Sequence, residues 1–134
     1  MNNPFAQVAH QIEQADQLPV LLAAALVGLE LADLTTEALT ELCAHDEVPG
    51  YLTAQAEVAE ARDALVRAPS LDWPETTLTH TPVTTDDVAA SIAAMALVLS
   101  RALVTAAERS TDPADRIACL QAALHTGRLH EALR

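Results

Sequence analysis

One apolar run constrains this chain more than any other feature. The twenty residues from Val88 to Ala107 contain a single charged side chain, Arg101. Apolar residues at alternating steps of three and four lie on one side of an α-helix, and two such rows run side by side here. The run therefore predicts an all-α fold, a compact bundle of four to six helices around a buried central helix at about 86–110. The two rows are Val88, Ile92, Met95, Leu99, Ala102 and Ala106, and Ala89, Ala93, Ala96, Leu103 and Ala107.

The composition agrees with an all-α fold. Aromatic residues make up 2% of the chain and glycine occurs three times, whereas alanine and leucine, both strong helix formers, are abundant. The aromatic and β-branched residues that favour sheets are correspondingly few. A chain of 134 residues has the length of one domain, which we assign to residues 1–134, and can bury a core without a metal or a disulfide.

Several local signals mark the ends of the helices. Asn3–Pro4 and Asp112–Pro113 each place a capping side chain before a proline, which predicts a helix start. Pro19 either ends the first helix or lies in the first turn of the second, which either continues past Thr35–Glu37 or ends there. The sequence Val48–Gly50 predicts a stop and turn before a helix from Tyr51 to Ala68, and Gly127 predicts a C-cap or a kink.

The apolar positions of the other helices predict which residues face the core. The first helix has a modest apolar row and the third has a clean one, while the last helix contains several large apolar residues. The predicted core residues are Phe5, Val8, Ile12 and Ala15; Ala54, Val58, Ala61, Leu65 and Ala68; and Ile117, Ala118, Leu120 and Leu124.

A long irregular connection is expected at about 69–84, where sixteen residues include three prolines. Connections of this length in compact domains are usually functional or disordered, and the apolar residues here argue against disorder. Two interpretations stay open. The segment is a strap that crosses the bundle and holds Trp73 in its rim, or Leu71, Trp73 and His80 form part of a surface for a partner or ligand.

Histidine and carboxylate pairs come nearest to a chemical site. His10 precedes Glu13, Glu41 precedes His45, and His125 and His130 flank Gly127. A di-iron bundle requires Glu-x-x-His motifs on two helices, and this sequence has none. We therefore expect no metal, no cofactor and no catalytic residues, with these histidines on the solvated sides of their helices.

Charge and cysteine content restrict the partners and the location. A net charge of −12 opposes direct binding to nucleic acid or to anionic membrane surfaces. No targeting segment is evident, and the apolar runs do not predict a membrane protein. Cys43 and Cys119 each lie among apolar neighbours, which is typical of unreactive core cysteines in a reduced, cytoplasmic protein.

These observations favour a non-enzymatic helical bundle that acts through protein–protein contact. Its alanine-rich helices bury little area per contact, so a homo-oligomer is the expected partner state. One alternative is an enzyme or small-molecule binder with a pocket between helices, covered by the 69–84 connection. Another is an acidic decoy for a nucleic-acid-binding protein.

Overall fold

The computed structural model describes residues 3–42, 48–74 and 85–134, which form five α-helices and contain no strand. The helices pack together with many long-range contacts, so the predicted helical bundle is confirmed. They are α1 (Pro4–Gln14), α2 (Leu18–Leu42), α3 (Val48–Val66), α4 (Thr85–Arg109) and α5 (Pro113–Leu133).

Four of the helices form the corners of the bundle. Going round it, α2 packs on α3, α3 packs on α5, and α5 packs on α4. The contact between α4 and α2 is the sparsest of the set, and α1 packs against both helices along this side. As a result α5 lies between α3 and α4, and α4 contacts three other helices.

The core combines the apolar rows that the sequence predicts in α1, α3 and α4 with buried residues of α2 and α5. In α4 both rows contribute, although the residues at Ala90, Ala94 and Arg101 lie on the surface. The buried residues of these rows are Phe5, Val8 and Ile12; Ala54, Val58, Ala61, Leu65 and Ala68; and Ile92, Ala93, Met95, Ala96, Leu99, Leu103 and Ala107.

Most of the predicted helix starts are observed. The Asn3 side chain accepts hydrogen bonds from the backbone N–H groups of Phe5 and Ala6, and Asp112 caps α5 in the same way through Ala114. Pro19 lies in the first turn of α2, where a proline costs no backbone hydrogen bond. The second helix continues through Thr35–Glu37, where the two buried threonine hydroxyls are satisfied by donating to backbone oxygens one turn earlier.

Three sequence predictions are wrong. Val48–Gly50 is not a stop, because α3 begins at Val48 and accommodates Pro49 in its first turn. Gly127 neither caps nor ends α5, which continues to Leu133, and no described glycine has a positive φ. In α5 Ala118 is buried as expected, whereas Ile117, Leu120 and Leu124 are exposed.

Candidate protein-binding surface

The segment that follows α3 is fixed to the start of α5 by one buried carboxylate. Asp115 is 3% exposed and lies in the first turn of α5, where negative charge is favoured. Its Oδ1 accepts a hydrogen bond from the backbone N–H of Ser70 at 2.9 Å, and its Oδ2 accepts one from the Ser70 hydroxyl at 2.5 Å. Both carboxylate oxygens are therefore used to hold the connection in place.

The predicted partner surface lies on this connection. Leu71 is partly buried against the core, whereas Trp73 is 62% exposed. The interpretation in which a strap holds Trp73 in the rim of the bundle is therefore wrong in that detail, because Ser70 and Leu71 make the attachment instead. His80 lies outside the described residues. A role for Leu71 and Trp73 in partner or ligand binding stays a prediction.

A cleft of about 520 Å³ lies beside Ser70, at the end of the bundle where α1 meets α2 and α4 meets α5. Its lining is mixed, with apolar residues such as Leu18 and Leu21 beside the charged residues Glu13, Asp16, Arg109 and Asp115. In the described part of the chain, every buried side-chain polar atom has a hydrogen-bond partner. The cleft thus offers no unpaired buried group to a ligand.

Two of the candidate histidines join helices instead of forming a site. His125 Nδ1 donates to Glu57 Oε2 across 2.7 Å, which links α5 to α3. His130 Nδ1 donates to the backbone oxygen of Ala93 across 2.8 Å, which links α5 to α4. His10 is exposed, and His45 lies outside the described residues. Within the described ranges, no group of three or more His, Cys, Asp or Glu residues is placed to hold a metal ion.

The one cysteine that the structure describes, Cys119, is fully buried in α5. Burial, together with the negative charge of Asp115, raises the pKa of the Cys119 thiol from 9.0 to about 11. Because the thiolate is the nucleophilic form, this environment makes Cys119 a poor nucleophile at neutral pH.

Among the described residues, three large apolar side chains that lie close together in sequence on α5 are exposed to solvent. Ile117, Leu120 and Leu124 are 56%, 47% and 52% exposed, and their spacing of three and four residues places them on one side of the helix. We call these three residues the α5 outer face. The other exposed large apolar residues of the described chain lie on other elements, at Val20, Leu34, Leu52, Val66, Trp73 and Val104.

Sequence reasoning missed this face because α5 has two apolar sides. The side that is buried carries mainly small residues, including Ala118, Cys119, Ala122 and Ala123. Small side chains let α5 approach α3 and α4 closely, since the distance between helices depends on the residues at the contact. The row of small residues in the sequence indicates the buried side of α5, because small side chains fit a helix that has two close neighbours.

The α5 outer face continues onto α4. The Ser100 hydroxyl donates to the backbone oxygen of Ala123, and His130 contacts Ala93, so the two helices run antiparallel in a defined register. This register places exposed Val104 of α4 level with Cys119 of α5, one residue before exposed Leu120. An apolar strip of two helices is therefore open to solvent.

Charge is distributed unequally between this strip and the rest of the protein. Residues 88–134 contain five arginines and four acidic residues, whereas residues 1–87 contain two arginines and fifteen acidic residues. The negative charge of the protein thus belongs to its N-terminal two-thirds. The helices that carry the apolar strip are close to neutral.

Two helical segments are long and apolar enough to cross a membrane, Leu18–Glu41 and Val88–Arg109. Half of the first and a third of the second are buried within the bundle. Core helices of water-soluble bundles have the same length and composition, so this property carries little weight.

Comparison of the chain with protein-family models, with curated proteins and with solved structures finds no match.

Proposed function

We propose that this protein is a non-enzymatic helical bundle that acts through protein–protein contact, and that it self-associates through the α5 outer face. The observation that carries the proposal is the exposure of Ile117, Leu120 and Leu124 on one side of α5. Contiguous exposed apolar residues on soluble proteins mark interaction sites, and protein interfaces have an apolar centre with a polar rim.

Charge supports a second copy of the chain as the partner. Two molecules that each carry a net charge of −12 repel one another over most of their surfaces. The near-neutral side formed by α4 and α5 is where two copies can approach with the least repulsion. The same side carries the apolar strip, so attraction and low repulsion coincide.

The alternative of a small-molecule binder or enzyme has less support. In the cleft beside Ser70, both oxygens of the buried carboxylate, Asp115, already accept hydrogen bonds from Ser70. The pKa of the Cys119 thiol is also raised rather than lowered, so Cys119 is not an activated nucleophile.

The test compares a double substitution on the proposed face with a matched one elsewhere. Leu120→Ser with Leu124→Ser removes two exposed leucines from α5, and Val20→Ser with Leu52→Ser removes two exposed apolar side chains from α2 and α3. Sedimentation equilibrium gives the mass of each variant beside the wild type. Thermal unfolding followed by circular dichroism shows that both variants fold.

The proposal expects the α5 variant to be monomeric at concentrations at which the wild type and the control variant associate. If the α5 variant associates as the wild type does, the α5 outer face is not the contact. If the control variant loses association and the α5 variant keeps it, the contact lies on α2 or α3.

A further inference from the structure

We infer that two copies of the chain meet antiparallel, α5 against α5 and α4 against α4, with Arg101 of each copy opposite Glu108 of the other. The inference rests on the proposed function and adds the orientation of the partner and the ionic contacts that select it. Three features carry it: the position of the apolar strip, the two charges beside it, and the register of the helices.

The apolar strip takes in residues of both α4 and α5. The contacts of Ser100 with Ala123 and of His130 with Ala93 place Val104 within one residue of the level of Leu120. Consider a second copy related to the first by a twofold axis that lies in the plane of contact and runs perpendicular to both helices. This operation makes the helices of the two copies antiparallel and places α4 on α4 and α5 on α5. Leu120 then meets Ile117 of the second copy, and Val104 lies near Val104, so the apolar parts of the two surfaces coincide.

Two opposite charges on α4 lie at equal distances from the centre of this arrangement. Arg101 and Glu108 are seven residues apart, which places them on the same side of the helix two turns apart. Their midpoint is between Val104 and Thr105, level with Ala118 and Cys119 and so midway between Ile117 and Leu120 of α5. An antiparallel second copy therefore brings its Glu108 to the level of Arg101, and its Arg101 to the level of Glu108.

Both side chains are available for such a contact. Arg101 and Glu108 are exposed, and neither forms an ion pair or a side-chain hydrogen bond with another described residue. In a dimer of twofold symmetry, every contact between two different residues occurs twice, so each dimer gains two ion pairs between Arg101 and Glu108. Charges at the edge of an apolar interface set its orientation more than its strength.

The test uses charge reversal at each position and then mixes the products. Arg101→Glu leaves two acids on this part of α4, and Glu108→Arg leaves two bases. Each variant alone places like charges opposite each other in an antiparallel dimer, so we expect self-association about tenfold weaker than in the wild type. Because the two patterns complement each other, an equimolar mixture is expected to recover association close to that of the wild type.

Two controls complete the experiment. Glu37→Arg on α2 changes the net charge by the same amount as Glu108→Arg and is expected to leave the orientation of the dimer and its charge contacts intact. The double variant Arg101→Glu with Glu108→Arg restores opposite charges within one chain and is expected to associate like the wild type. Sedimentation velocity on labelled and unlabelled chains separates mixed from identical pairs.

The outcomes separate the inference from the proposed function. Association of the wild type with no loss in either single variant overturns the antiparallel arrangement and leaves the α5 outer face as the contact. Loss in both single variants without recovery in the mixture also overturns it, because the charges then face other groups. A wild type that stays monomeric contradicts the proposed function and this inference together.

Discussion

Gly28 of α2 lies directly against Val8 of α1. A Cβ atom at position 28 would fall 2.8 Å from Val8 Cγ1 and 3.0 Å from Met95 Sδ. The first distance is too short for carbon atoms, and a valine side chain has little freedom to move away. The absence of a side chain at Gly28 is therefore what lets α1, α2 and α4 meet at this point.

Replacement of Gly28 by alanine is expected to lower the free energy of unfolding by about 1–3 kcal/mol, because overpacking outweighs the gain in helix propensity. Gly127→Ala is the matched control. A Cβ there would lie 3.5 Å from Ser100 Oγ, an ordinary contact, so this change is expected to stabilise α5 by about 0.5–1 kcal/mol. Urea unfolding measures both, and equal effects of the two substitutions would refute the close approach at Gly28.

Asp115 is expected to fix the connection after α3. Asp115→Ala leaves the N–H and hydroxyl of Ser70 without their partner, so we expect the free energy of unfolding to fall by about 1–3 kcal/mol and the Ser70 amide to exchange faster with solvent. Asp63→Ala, on the exposed side of α3, serves as the control and should change neither quantity. Unchanged protection of the Ser70 amide in Asp115→Ala would contradict the two hydrogen bonds.

Trp73 and Leu71 are expected to differ in their contributions to stability. Trp73→Ala should change the free energy of unfolding by less than about 0.5 kcal/mol because the side chain is 62% exposed. Leu71→Ala should lower it by about 1–2 kcal/mol because Leu71 is partly buried against the core. Chemical unfolding followed by circular dichroism compares them, and a larger loss for Trp73→Ala would reinstate the strap that holds Trp73 in the rim.

The raised pKa of the Cys119 thiol predicts that the folded protein loses stability in alkaline solution. Its pKa is about 11 in the folded protein and 9.0 when unperturbed, so the unfolded chain loses the proton first. The free energy of unfolding should therefore fall by on the order of 2–3 kcal/mol as the pH rises from about 9 to about 11. A Cys43→Ala background isolates the effect, and adding Cys119→Ala should remove this part of the slope. The same slope in both proteins would show that Cys119 does not cause it.

Much of the fold follows from local sequence signals. Helix α3 has a single apolar side and α4 has two adjacent ones, so their buried residues could be predicted. The Asn3 and Asp112 caps are strong local signals, so the starts of α1 and α5 could be predicted as well. The orientation of α5 could not, because Leu120 and Ala122 belong to opposite apolar sides and only the neighbouring helices decide which is buried. The prediction for Gly127 was wrong for a similar reason. Packing against α4 holds α5 helical through this glycine, although glycine often ends a helix.

The candidate surface was predictable only in part. Leu71 and Trp73 stand out in the sequence, but their difference in burial depends on where Ser70 meets Asp115, forty-five residues away. The α5 outer face is recognisable only once α3 and α4 are in place on the other side of the helix.

The mass of the wild-type protein in solution tests the central claim most directly. Sedimentation equilibrium from about 1 to about 100 micromolar, near physiological salt, covers the affinities expected of a modest apolar interface. Self-association through the α5 outer face predicts a mass that rises with concentration from 14.2 kDa towards twice that value. A mass of 14.2 kDa across the whole range would contradict it.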